Sequence, residues 1–102
     1  MNYTLADILN EEKNIVICVN YKKDAIELLE KFNELKLKWW NNDSYLYSNN
    51  WDDYQEKTCY KPSTGEFARR EFWWMNQNVI LKYKDVKHLF NRFNFHMTEL
   101  DV

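Results

Sequence analysis

One glycine, Gly65, and one proline, Pro62, stand among 102 residues. Ordinary usage is about 7% and 5%. A single glycine excludes every glycine-rich phosphate loop. No apolar run approaches the ~20 residues of a membrane helix. The N-terminus, Met1-Asn2-Tyr3-Thr4-Leu5-Ala6-Asp7, lacks the basic stretch and apolar core of a secretory signal, so a cytoplasmic protein is expected. A net charge of −2 excludes both a strongly basic nucleic-acid module and an acidic tail. Cys18, Cys59, His88 and His96 match no zinc spacing, so neither metal nor cofactor is expected. Ser44, Ser48 and Ser63 sit in turn-like contexts, and no local Ser/His or Cys/His pair stands out. The expectation is a protein without catalysis.

Abundance tells the complementary story. Asparagine occurs 13 times, lysine 11 times and tyrosine 7 times. These residues have AT-rich codons, whereas glycine, alanine and proline have GC-rich ones, so the bias is the imprint of an AT-rich genome. Tryptophan breaks the rule. Its one codon is G-rich, yet there are five, at 39, 40, 51, 73 and 74. Codon drift does not supply them, which leaves packing or binding to keep them.

A chain of 102 residues suits one small domain with one core, spanning 1–102. Thr4 with Asp7 reads as a capping box for a short helix, and Asn14 ends that segment. The unbroken run Ile15-Val16-Ile17-Cys18-Val19 reads as a strand buried on both faces. Asp24, answered by Glu27, caps a helix over 24–35 whose apolar stripe is Ala25, Leu28, Leu29, Phe32 and Leu35. Leu37-Lys38-Trp39-Trp40 reads as a second strand, 41–50 as a polar loop, and 51–54 as a helical turn capped by Asn50. Thr58–Lys61 and Glu66–Trp74 form a hairpin around Pro62-Ser63-Thr64-Gly65. Val79–Tyr83 is a last strand, and a helix begins at Asp85. Residues 94–102 read as a loose tail. The resulting fold class is α+β: a twisted, mainly antiparallel sheet of about five strands with helices on one face. Both cysteines then read as reduced buried thiols, a disulfide being open only if their strands are neighbours.

Adjacent strand residues point to opposite faces, so Trp39-Trp40 and Trp73-Trp74 each direct one indole toward the helices and one away. Either a loop covers the second face, or that face displays aromatics to a partner. The candidate partner-binding residues are Trp40, Trp51, Tyr60, Phe67, Arg69, Arg70, Glu71 and Trp73. Trp40, Tyr60, Phe67, Arg69, Glu71, Trp73 and Ile80 are expected on one face, a parity that a bulge would reverse. Arginine beside aromatics is typical of interface hot spots. The same set, with Lys57 and Lys61, could stack on and neutralise single-stranded nucleic acid. Yet residues 36–75 carry six basic and six acidic side chains, which reads as a solvated mixed-charge hairpin. Asp52, Asp53 and Glu56 have no calcium-loop spacing and are explained by the dipole of a helical turn. A nucleotide signal sequestered between aromatics is a further alternative.

Over residues 14–90 there is a strand, an amphipathic helix and Leu37-Lys38-Trp39-Trp40 with a polar turn. There follow Trp51-x-x-Tyr54-x-x-x-Thr58-Cys59-Tyr60, a hairpin, and Val79-Ile80-Leu81-Lys82-Tyr83-Lys84-Asp85-Val86. This pattern resembles the small α+β accessory proteins of bacteriophages and prophages of AT-rich bacteria. The resemblance implies a protein that works in the cytoplasm of the bacterial host. It would bind and disable a host defence protein, such as a CRISPR nuclease, by steric occlusion, as an anti-CRISPR monomer or homodimer. No motif defines that activity, so the resemblance assigns no residue a role. The helical segment 4–12 lies outside the pattern.

Overall fold

The computed structural model describes residues 3–90. Its elements, in chain order, are α1 (Leu5–Leu9), β1 (Ile15–Cys18), α2 (Lys22–Glu34), β2 (Thr58–Lys61), β3 (Glu66–Arg69), α3 (Arg70–Met75), β4 (Val79–Lys82) and α4 (Tyr83–Val86). Short 3-10 turns follow α1 and α4, and two more precede β2. The fold is α+β, with a four-stranded sheet in the order β3-β2-β1-β4. β2 pairs antiparallel with both β1 and β3, whereas β4 pairs parallel with β1. The sheet is therefore mixed, and it has four strands where about five were expected.

β1 is buried along its whole length. Alternation explains how. Ile15 and Ile17 enter the main core with α2, while Val16 and Cys18 enter a smaller cluster on the opposite face. The register extends this across the sheet. Phe67, Tyr60, Ile17 and Leu81 form one row on the α2 face, and Ala68, Cys59 and Cys18 form a row of small side chains on the other. Trp73 of α3 fills the space above that small row.

α2 buries Ala25, Leu28, Leu29 and Phe32, four of the five residues of the expected stripe; the fifth, Leu35, is the C-cap and is half-buried. The helix starts at Lys22, two residues before Asp24, after an N-cap, Tyr21, that makes no side-chain cap bond. Asp24 is thus not the cap. It lies in the first turn, where a carboxylate favours the helix dipole. The helix stops at Lys36, whose φ of 64° is left-handed. The N–H of Lys36 donates to the carbonyl of Asn33, and that of Leu37 to the carbonyl of Phe32, a Schellman ending built without glycine. Glycine scarcity has a general solution here. Among the described residues, Asn14, Asn42 and Asn50 also take positive φ, a conformation asparagine tolerates better than most residues. The capping box holds: the Asp7 N–H donates to Thr4 Oγ1, and the Thr4 N–H to the Asp7 carboxylate. Asn50 gives no side-chain cap to the turn at Trp51–Asp53.

One expected strand fails and another is cut short, for different reasons. Residues 37–40 make only an isolated bridge, Lys38 with Ser44. The Trp40 N–H instead donates to the Gly65 carbonyl, tying the segment to the hairpin turn. Residues 70–74 are helical, not an extension of β3. β3 and β4 both run parallel to β1 from opposite edges of the sheet, and such a connection needs a crossover. Arg70-Glu71-Phe72-Trp73-Trp74-Met75 contains no β-branched residue to oppose helix formation. The crossover lies on the face opposite α2, so the helices flank both faces and not one. The tail at 94–102 and His96 lie outside the described residues.

Candidate interaction surface

The tryptophan pairs divide between inside and outside. Trp39 is 6% exposed and Trp40 70%; Trp73 is 4% exposed and Trp74 73%. Neither pair lies in a strand. The first division arises in a loop pinned to the hairpin, the second from the roughly 100° between successive helix residues. Trp39 is packed by Tyr45, Tyr60 and Phe67 and donates its indole N–H to the Ser48 carbonyl. Trp73 donates its own to the Cys59 carbonyl. Both buried indoles are satisfied core residues. Trp51 is half-buried against the main core, and its indole nitrogen is buried without a hydrogen-bond partner.

The candidate residues do not share one face. Tyr60 is buried on the α2 side, its hydroxyl donating to the Asn49 carbonyl. Burial, reinforced by Asp52 and Asp53, pushes its phenol pKa up. Phe67 is half-buried between Trp39 and Tyr54. Trp73 and Ile80 belong to the opposite cluster. The expected single face therefore splits, because α3 approaches the sheet from behind. Arg69, Arg70 and Glu71 are exposed where β3 turns into α3. Arg69 lies over the Tyr54 ring, Arg70 donates to the Glu56 carbonyl, and Glu71 is 4.0 Å from the Lys57 ammonium. A depression of about 380 Å³ at this corner is lined by Asp52, Asp53, Glu56, Lys57 and Arg69 among others, with carboxylates outnumbering cations.

Of the eight large apolar side chains exposed among the described residues, Tyr21 and Ile26 lie on or beside α2 and the other six form two sets. Phe72, Trp74 and Met75 project from α3, and Trp40, Leu46 and Tyr47 from the loop before β2. Of these six, only Trp40 was among the sequence candidates. A helical period through 70–75 was the available signal for Phe72 and Met75, which lie three apart on one side. Leu46 and Tyr47 sit in a polar stretch that gives no local signal of exposure.

Cys18 and Cys59 are joined by a disulfide. The two reduced thiols of the sequence reading are thus corrected. β1 and β2 are neighbours, and the cysteines face each other in register. Among the described residues, no group of three or more histidine, cysteine, aspartate or glutamate side chains could hold a metal ion. No helix among them is long and apolar enough to cross a membrane.

Comparison with protein-family models, curated proteins and solved structures gives no match for this chain.

Proposed function

We propose that this chain is a non-catalytic binding protein of phage type that inhibits a bacterial defence protein, a CRISPR nuclease foremost, by steric occlusion. The observation that carries the binding half is Trp74. An indole left 73% exposed on a six-residue helix, flanked by exposed Phe72 and Met75, is costly in water and favourable in an interface. Burying such an anchor centrally contributes about 2 kcal/mol or more to many interfaces. Trp40 and Tyr47 offer a second apolar group. Arg69, Arg70 and Glu71 would supply a charged rim. The defence-protein half rests on the resemblance of residues 14–90 to phage accessory proteins.

Single-stranded nucleic acid is the weaker reading. Tyr60 and Trp73, two of its stacking platforms, are buried, and the remaining cations share their corner with Asp52, Asp53 and Glu56. The test adds the purified chain to target-DNA cleavage by a panel of CRISPR nucleases, beside a titration of labelled oligonucleotide. Stoichiometric loss of cleavage without oligonucleotide binding supports the proposal. Tight, salt-sensitive oligonucleotide binding, or full cleavage throughout together with no defence protein recovered by pull-down from host lysate, overturns it.

A further inference from the structure

We propose that the Cys18–Cys59 pair is a two-electron redox latch on α3: joined, it holds the helix seated on the sheet through Trp73, and as two thiols it releases the helix. That release would also unfix Phe72, Trp74 and Met75. This consequence rests on the interaction reading, whereas the latch itself does not.

Register brings the sulfurs together. The Val19 N–H donates to the Thr58 carbonyl, which makes Val19 and Thr58 a hydrogen-bonded rung of the antiparallel pair. The adjoining rung, Cys18 opposite Cys59, is therefore a non-hydrogen-bonded one, where side chains come closest. Two thiols held there stay paired by the strands and can rejoin without a search.

α3 is six residues long, has no side-chain N-cap bond, and buries Trp73 alone. Its other ties are at or near the surface: Arg70 to the Glu56 carbonyl, Glu71 with Lys57, and Asn78 to the Trp73 carbonyl. A helix this short does not persist unsupported. Its anchor is the indole, packed in a cluster whose other buried members among the described residues are Val16, Cys18 and Cys59. The indole N–H bonds to the carbonyl of Cys59 itself. Reduction replaces one bond with two thiols that must separate to non-bonded distance and accommodate two hydrogens. A close-packed cluster has no free volume for that, so the indole is displaced.

Access is one-sided. Cys59 is sealed, whereas Cys18, the last residue of β1, keeps 5% of its surface exposed. The reductant is a dithiol. Its thiolate attacks the Cys18 sulfur, the S–S bond breaks, and Cys59 leaves as thiolate and takes a proton. The second thiol of the reductant then attacks the mixed disulfide and becomes oxidised as Cys18 is released and protonated. Two electrons and two protons pass to the protein.

The test uses the full chain, treated without denaturant with dithiothreitol or with oxidised glutathione, its thiols counted by alkylation and intact mass. Amide exchange is followed over residues 70–75 and 25–32. The latch predicts interconversion in native buffer, with exchange over 70–75 accelerated after reduction by about ten-fold more than exchange over 25–32, which follows the global loss of stability. The paired substitution Cys18→Ala with Cys59→Ala, which removes both sulfurs and with them the crowding, should show the same exchange over 70–75 in both buffers. Unchanged exchange over 70–75 after complete reduction overturns the latch. So does reduction only in denaturant, failure of the oxidant to form the bond, or equal acceleration over 25–32. No partner takes part in this measurement, so its failure and the failure of the binding reading are separable.

Discussion

The indole N–H of Trp73 donates to the backbone carbonyl of Cys59, 3.1 Å away, on the residue whose sulfur is bonded to Cys18. One side chain thereby connects α3, β2 and, through the disulfide, β1. Lys61, from the same face of β2, places its ammonium 5.7 Å from the centre of the same ring and bonds Asn14 Oδ1. This contact joins the structural half of the aromatic content to the half left in solvent, because Trp74 follows directly.

Neighbouring tryptophans should therefore respond oppositely to substitution. Trp73→Ala opens a cavity and leaves the Cys59 carbonyl unpaired, and should cost about 3–5 kcal/mol of stability. Trp74→Ala should change stability by no more than about 0.5 kcal/mol. Urea unfolding of the two variants checks both.

Gly65 and Lys36 share a left-handed backbone and differ in surroundings. A Cβ at Gly65 would lie 2.5 Å from the Lys38 carbonyl oxygen and from the Trp40 nitrogen, both backbone atoms. Gly65→Ala should cost more than about 3 kcal/mol, combining the left-handed penalty with that clash. Lys36 is exposed at the end of α2, so Lys36→Gly should raise stability by about 0.5–1 kcal/mol after the entropy of the freer chain is subtracted. Thermal unfolding reads both shifts.

The disulfide closes a loop with a sequence separation of 41. Loop-closure entropy puts its contribution at about 4 kcal/mol as an upper value. Reduction in native buffer should lower the urea midpoint accordingly while far-ultraviolet circular dichroism retains most of its signal. A midpoint identical in both redox states would show that the bond adds no stability.

Asp7 gives the capping box a pH dependence. The hydrogen bonds from Thr4, chiefly that of its backbone N–H, hold its carboxyl below the ordinary value, aided by Lys13. A depressed folded-state pKa means that the contribution is present above the unfolded value near pH 3.9 and is lost as pH falls through the folded one. Carboxyl carbon shifts should titrate Asp7 below that value, and Thr4→Ala should move the midpoint back toward it.

Local pattern carried the reading of the sequence a definite distance. β1 was legible because a β-branched run with no polar interruption fits only a strand covered on both sides. The α2 stripe and the turn holding Pro62 and Gly65 were legible for equally local reasons. The strand at 37–40 was not, because the Trp40 N–H goes to Gly65, 25 positions away in sequence. Helix α3 was misread because its demand is topological: the chain has to cross from one sheet edge to the other. The disulfide depended on β1–β2 register, a long-range fact. Of the candidate surface, the division of each tryptophan pair was legible, but which member of 73 and 74 faces solvent depended on helix against strand.

Calorimetric titration of a recovered defence protein with the parent chain and with Trp74→Ser tests the central claim most directly. The account predicts saturable binding by the parent and weakening by about 30-fold or more in the variant, the loss expected of a buried aromatic anchor. Equal affinity in Trp74→Ser and in Trp40→Ser, with both variants folded, would contradict it.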